Sequence, residues 1–428
     1  MPQLNELFPR LICGLGIVVF VALAWCISSD RKNFPWRIVI GGLLLQFTLA
    51  LLVLRTRPGR TAFKWIGDGF QTMMGTVDSG SGFLFSTGPS STLQDSLLGT
   101  FAFGVLPTVI FFSALMSILY HLGVMQRIVW VMAWVMKFSL KTSGPETLAA
   151  AANVFVGHTE APLVVRPYLS KMSRSELCAM MTGGFATVTG GLLGAYAKMG
   201  VDISHLLTAS IISAPAALLI AKVMVPATDP TDADDAADDS MQLNIQRTSV
   251  NVIGAAVEGA SEGLKLALNV GAMLIAFLSL IALIDLLLGG ICHAFGWQST
   301  DGDPILSLGV ILGYACWPLA WLLGIPASEC FAAGELIGLK TVANEFIAYQ
   351  QLGQIAAAED SPINPRTATV LTYALAGFSN FAAIGIQVGG IGGLVPERKS
   401  DLASLGLRAM FGGLLACCMT GAVAGMML

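Results

Sequence analysis

The sequence predicts an all-α polytopic membrane protein, and three observations predict it. Hydrophobic residues make up 55% of the 428 and charged residues 12%, against about 25% charged in a soluble domain; mean hydropathy is +0.73. Two carboxylates, Glu160 and Glu345, lie inside apolar text, where an acid is costly unless it faces a partner or a wet cavity. An order of hairpin, interrupted helix and plain helix occurs twice. A net charge of −4 without a basic stripe excludes nucleic acid as a partner. The eight cysteines sit almost entirely in apolar segments and read as small hydrophobes, with no disulfide or zinc site.

The first two spans are about 11–27 and 38–54, each long enough to cross a bilayer. Basic residues flank both ends of the second, so charge does not orient the chain. Residues 67–96, rich in Gly, Ser and Thr, read as irregular or interfacial. A third span covers about 101–122. Residues 125–140, with Trp130 and Trp134 on one side, read as an amphipathic interfacial helix. Residues 149–168 are broken by Gly157, Pro162 and Pro167 and read as a re-entrant hairpin. Residues 177–199 carry glycines and threonines at mid-span, as a centrally unwound helix does. A plain span at 203–225 leads to an acid-rich linker, 227–249, with its acids between Asp229 and Asp239. Apolar sequence from 250 to 295 reads as one long tilted helix. Glu258, Glu262 and Lys265 near its start read as a solvated set at helical spacing.

The last third repeats the middle third. Gly184-Phe185-Ala186-Thr187 returns as Gly377-Phe378-Ser379-Asn380, and Thr159-Glu160 returns as Asn344-Glu345. Such repeats mark secondary transporters, with the ligand site at the interrupted segments. The domain reading is 1–140 N-terminal scaffold helices with an interfacial helix, 141–226 first repeat, 227–249 acidic loop, 250–300 long scaffold helix, and 301–428 second repeat.

Glu160 and Glu345 are expected to meet in one small midplane cavity. Ionised carboxylates only accept hydrogen bonds and suit hydroxyl donors such as those of a ribose; carrying a coupling proton is the rival role. His158, in the hairpin tip, reads equally as a ligand contact or a satisfied interior histidine. Asn153, Thr187 and the backbone at Val156 and Val188 offer neutral oxygens of the kind a hard cation takes. Spacing alone assigns them to hydrogen bonds between helices. Lys340 reads as pairing with an acid or with hairpin carbonyls. Asp285, Glu329 and Glu335 have no assigned role.

Gly338-x-Lys340-x-x-x-Asn344-Glu345-Phe346-x-Ala348-Tyr349 resembles the signature of the concentrative nucleoside transporters. Gly157-His158-Thr159-Glu160-Ala161-Pro162, followed by Arg166-Pro167, resembles their first hairpin, and Gly377-Phe378-Ser379-Asn380 their broken seventh helix. The likeness runs the length of the chain. It implies eight transmembrane helices in an inverted repeat, two re-entrant helical hairpins, interfacial helices and a homotrimer in the cell inner membrane. It implies inward nucleoside transport on a sodium or proton gradient by an elevator-like motion. Carried over by position, His158, Thr159 and Glu160 face the nucleobase, Glu345 and Asn380 hold ribose hydroxyls, and Phe378 lines the pocket. Asn153, Val156, Thr187 and Val188 match the sodium site, so Na+ is the expected coupling ion. Two positions depart from the family: His158 replaces a usual Gln, and Ala383 a frequent Ser, which leaves base preference open. The expected function is sodium-driven nucleoside import. The rivals are a proton-coupled symporter, a membrane-embedded acid–base hydrolase and a passive channel.

Overall fold

The computed structural model describes residues 2–85, 100–158, 160–227, 249–297 and 304–428, with the backbone alone for residues 2–6. The expected acidic stretch Asp229–Asp239 lies outside the described residues. Those that are described are overwhelmingly helical. Among the described residues, seven helices are long and apolar enough to cross a membrane.

Helix α1 (Pro2–Cys26) and α2 (Trp36–Ala50, carried on through Leu51–Arg55) are the first two spans. Helix α3 (Arg57–Phe85) replaces the irregular alternative for residues 67–85 by a helix and leaves the interfacial one standing. Its glycines are outweighed by a helical stripe of Phe63, Ile66, Phe70, Met74, Val77 and Ser81 that faces the body. Residues 86–96 of that stretch lie outside the described set. Helix α4 (Leu106–His121) follows, then α5 (Val124–Leu140), which is entered through Gly123 at φ 76.

The two repeats are built alike. In the first, α6 (Gly144–Asn153) and the short α7 (Ala161–Val164) form a hairpin. Helix α8 (Arg174–Ala186) stops at Thr187, which is extended, and the chain resumes as α9 (Leu193–Lys198) before the plain helix α10 (Ile203–Met224). Reciprocal capping boxes, Ser143 with Glu146 and Ser173 with Glu176, start α6 and α8. After the long α11 (Val252–Phe295) and α12 (Leu308–Leu322), the second repeat pairs α13 (Cys330–Val342) with α14 (Glu345–Ala357). Helix α15 (Pro365–Leu375) breaks before α16 (Phe381–Leu394), and α17 (Lys399–Met427) is the plain helix. Asparagines 344, 364 and 380 cap α14, α15 and α16, each accepting an N–H three residues on.

Two helical groups emerge from the packing. Helix α11 lies chiefly against α4. Ala255, Gly259, Gly263 and Ala267 form a small-residue stripe on α11, and at Gly259 and Gly263 the backbone of α4 comes too close for any side chain. The 44 residues of α11 span about 66 Å, so across a hydrocarbon layer of about 30 Å it either tilts or projects well beyond. Only 6% of its apolar window is buried, against 94% for the Arg174–Lys198 segment. The other group is the repeat body, where α8, α10, α15 and α17 pack together. Helices α1 and α2 join this body through α10 and α17.

At its centre the two interrupted helices cross. A Cβ on Gly377 would sit 2.6 Å from the Phe185 carbonyl oxygen and 2.6 Å from Cys417 Sγ. The Cys417 thiol reaches the carbonyls of both Ala376 (3.4 Å) and Ala186 (3.7 Å). Gly377→Ala is therefore expected to cost about 1–3 kcal/mol by overpacking. Gly385→Ala, with nothing within 4 Å of its added methyl, serves as control. Thermal unfolding in detergent checks the pair, and equal unfolding temperatures would defeat the crossing as a tight contact.

Candidate functional site

Both hairpin tips and both helix breaks open onto one cavity of about 1440 Å3. This exceeds the roughly 300–1,000 Å3 of a typical small-molecule site, so it is a site with a vestibule. Glu160 and Glu345 both line it, together with His158, Phe378 and Asn380. The expected small cavity is thus a large one.

Glu345 is held by hydrogen bonds from two other elements. Asn344 caps α14, which puts Glu345 in the first turn, at the positive end of that helix. Glu345 is 3% exposed. Tyr196 Oη donates to its Oε1 at 3.0 Å, and Asn380 Nδ2 lies 3.4 Å from its Oε2. Asn380 in turn caps α16, the helix after the second break. The carboxylate is held by two donors from two other elements, with acceptor capacity left on the cavity side.

The first hairpin supplies the opposite wall. The Gly157 carbonyl accepts N–H groups from Glu160 and Ala161, closing the tip, and the Phe155 carbonyl accepts from Gly190 beyond the first break. The His158 ring packs edge-on against Phe378 with centroids 4.8 Å apart. Both its ring nitrogens are buried without a hydrogen-bond partner among the described residues. Glu160 is exposed toward the cavity with no ion pair among the described residues. Thr159 lies outside the described residues. Ala383 lines the cavity.

Asn153 and Thr187 meet at Gly183. The Gly183 carbonyl accepts from Thr187 Oγ1 at 2.9 Å, and the Asn153 amide lies against the Gly183 backbone. Asn153 Nδ2 donates to Met180 O at 3.2 Å, while its Oδ1 is buried and unpaired. Among the described residues, no backbone hydrogen bond reaches the carbonyl of Val156 or Val188. Oxygens buried this way need a partner, and a hard monovalent cation fits the set.

Sequence reasoning missed several groups. Tyr196 carries no signal, since a phenol in apolar text reads as core. Glu262 and Lys265 are not simply a solvated set: with Asn269 they form the α11 wall of the cavity. Glu258 takes the Ser249 hydroxyl instead. Glu329 accepts the backbone and side-chain N–H groups of Asn364, and Asp285 caps α12 through Leu308 N.

Residues 205–425 match the family described as the Na+ dependent nucleoside transporter C-terminus, residues 15–87 its N-terminus, and residues 102–202 a nucleoside recognition region. An uncharacterized transporter, YutK, of Bacillus subtilis is 42% identical over 96% of this chain and 98% of its own. Solute carrier family 28 member 3 of Eptatretus stoutii is 40% identical over 98% of this chain, which spans about 60% of that protein's length. Human sodium/nucleoside cotransporter 1 is 39% identical over 96% of this chain and 63% of its own. Among solved structures, CNTnw in an inward-facing substrate-bound state superposes at TM-score 0.87, 38% identical, covering 100% of this chain and 98% of its own. A CNTnw variant in an outward-facing state reaches 0.90, 38% identical, over 98% and 97%.

Proposed function

The chain belongs to the Na+ dependent nucleoside transporter family, and from that premise we propose that it is a secondary active symporter importing nucleosides on a sodium gradient. It is a multi-pass membrane protein, and its relatives are transporters, not enzymes, which removes the hydrolase reading. The observation that carries the proposal is Glu345: a buried acceptor at a helix N-terminus, held by Tyr196 and Asn380 at the edge of the cavity.

In this reading Glu345 and Asn380 take the ribose hydroxyls, and Phe378 backs the ligand. His158, Thr159 and Glu160 read the base. A neutral imidazole offers one donor and one acceptor, so His158 favours a base edge presenting the complementary pair. Na+ is held by Asn153 Oδ1, the Thr187 hydroxyl and the carbonyls of Val156 and Val188. The ion fastens the first hairpin to the first helix break, which shapes the nucleoside pocket beside it.

For alternating access we assign the repeats, 141–226 and 301–428, to a moving body that slides as an elevator past a frame of α4 and α11. Helices α1 and α2, read from the sequence as scaffold, travel with the body instead, because they pack on α10 and α17. The outer face of α11, with Leu264, Leu268, Ile275 and Leu286 exposed, is apolar enough to be buried in a homotrimer. The cell inner membrane is the site of action.

Purified protein in proteoliposomes is expected to concentrate nucleosides only under an inward sodium gradient. Accumulation that follows a pH gradient at fixed Na+ would replace sodium by the proton, with Glu160 or His158 as its carrier. Equilibration without accumulation would mean a channel. Asn153→Ala removes one ion ligand and is expected to raise the Na+ concentration for half-maximal uptake about tenfold, corresponding to about 1.4 kcal/mol. An unchanged sodium dependence would remove Asn153 from the ion site.

A further inference from the structure

Lys340 is the one charged residue of the signature with no role so far. It is 0% exposed, and among the described residues it forms no ion pair. Its Nζ donates to Ala374 O at 3.0 Å. Ala374 is the penultimate residue of α15, immediately before the second helix break. Carbonyls there lack intrahelical partners, and the helix end is electronegative. A buried ammonium without a carboxylate is expensive, and a lysine at membrane depth marks function by default.

The first repeat has a counterpart. Asn153 ends the first arm of its hairpin as Lys340 nears the end of the first arm of the other. Asn153 Nδ2 donates to Met180 O, at the middle of the helix half that precedes the first break. Setting Gly184-Phe185-Ala186-Thr187 over Gly377-Phe378-Ser379-Asn380 places Ala374 opposite Met181, one residue from Met180. Each hairpin therefore lays a side chain on the same turn of its broken helix. In the first repeat that side chain is an amide with an unpaired oxygen. In the second it brings its own positive charge.

We infer that Lys340 is a tethered cation, filling in the second repeat the place that the exchangeable sodium ion takes in the first. This rests on the sodium reading given above. An ammonium and Na+ carry equal charge, and both are satisfied by oxygens at a helix C-terminus. The difference is that Lys340 cannot leave. The second hairpin stays fastened to its broken helix throughout the cycle, while the first is fastened only when an ion is bound. Sodium control thus acts on one hairpin alone.

The test exchanges the two devices and reads the unfolding temperature of the detergent-purified protein across a Na+ series, with choline as replacement. A ligand that binds only the folded state raises that temperature with the logarithm of its concentration, in proportion to the number of ions bound. Lys340→Asn is expected to add about one ion to the wild-type slope, and Lys340→Met to lower the unfolding temperature at every Na+ concentration without changing the slope. Asn153→Lys is expected to flatten the sodium response and to unfold, without Na+, near the sodium-saturated wild type. A folded Lys340→Asn with the wild-type slope overturns the inference. So does an Asn153→Lys that unfolds at or below the sodium-free wild type, which covers the case where Lys340→Asn does not fold. A wild type with no sodium response removes the sodium reading and this inference with it. A sodium-responsive wild type with either negative result removes the inference alone.

Discussion

Glu345→Gln is expected to weaken nucleoside binding on the order of 100-fold and to abolish measurable accumulation. The substitution keeps the side chain's shape and one acceptor oxygen. Tyr196 Oη, at 3.0 Å from Oε1, therefore keeps an acceptor and the local fold persists. What is lost is the charge and one acceptor. A hydrogen bond to a charged group contributes about 1.5–3 kcal/mol. Weakening two such bonds to ribose hydroxyls removes about 3 kcal/mol, which is roughly 150-fold in affinity. Glu345→Ala goes further, because it strands Tyr196 Oη and Asn380 Nδ2 without partners in a buried setting. Equilibrium binding of a labelled nucleoside, beside uptake at saturating Na+, checks both variants. A loss of less than about threefold in Glu345→Gln would take the carboxylate out of ligand recognition.

The second large effect concerns stability. Lys222→Met is expected to destabilise the protein by about 3–5 kcal/mol, because it leaves a buried carboxylate without its partner. Lys222 Nζ lies 2.6 Å from Glu146 Oε2, with side chains only 4% and 2% exposed. The pair anchors a network. Lys222 also donates to Ser175 Oγ at 3.0 Å, and Ser175 donates to the Val225 carbonyl at 2.6 Å. Glu146 accepts from Ser143 N at 2.9 Å, and the Ser143 hydroxyl donates to Glu176. The starts of α6 and α8 and the end of α10 are thereby pinned at one point. Lys222→Met combined with Glu146→Gln is expected to recover most of the loss, since no unpaired charge remains. Unfolding temperatures of the single and double variants, measured on the detergent-purified protein, test this. A double variant no more stable than the single would mean that the charges matter for something other than each other.

Much of this molecule is written in local sequence. The breaks at 187–189 and 376–380 follow from glycine, threonine and asparagine in apolar text. The hairpins follow from glycine, proline and the Asn344 cap. Acids in apolar text pointed to the cavity, because a membrane tolerates few charges without a reason. The same rule applied to Lys222 and Glu146 would have flagged that pair. Their 76-residue separation hid the partnership, since nothing local links a hairpin start to the end of α10. Tyr196 was invisible for a similar reason: its meaning comes only from Glu345, brought close by the fold. The glycine-rich part of α3 misled because local propensity argued against a helix that tertiary packing supports. Glu262 and Lys265 are exposed as read, but spacing reports only which residues share a helix face and not that this face looks upon the cavity.

The contact of Gly377 with Phe185 and Ala186 has a thermodynamic corollary. Thr187 and Val188 follow directly on one side of the contact, and Phe378 and Asn380 on the other. The proposed seats of the two cargoes thus share a wall one backbone thick. Whatever factor bound Na+ contributes to nucleoside affinity, the nucleoside must return to Na+. A carrier so built disfavours half-loaded forms, and suppressing them is what keeps either gradient from leaking away without the other.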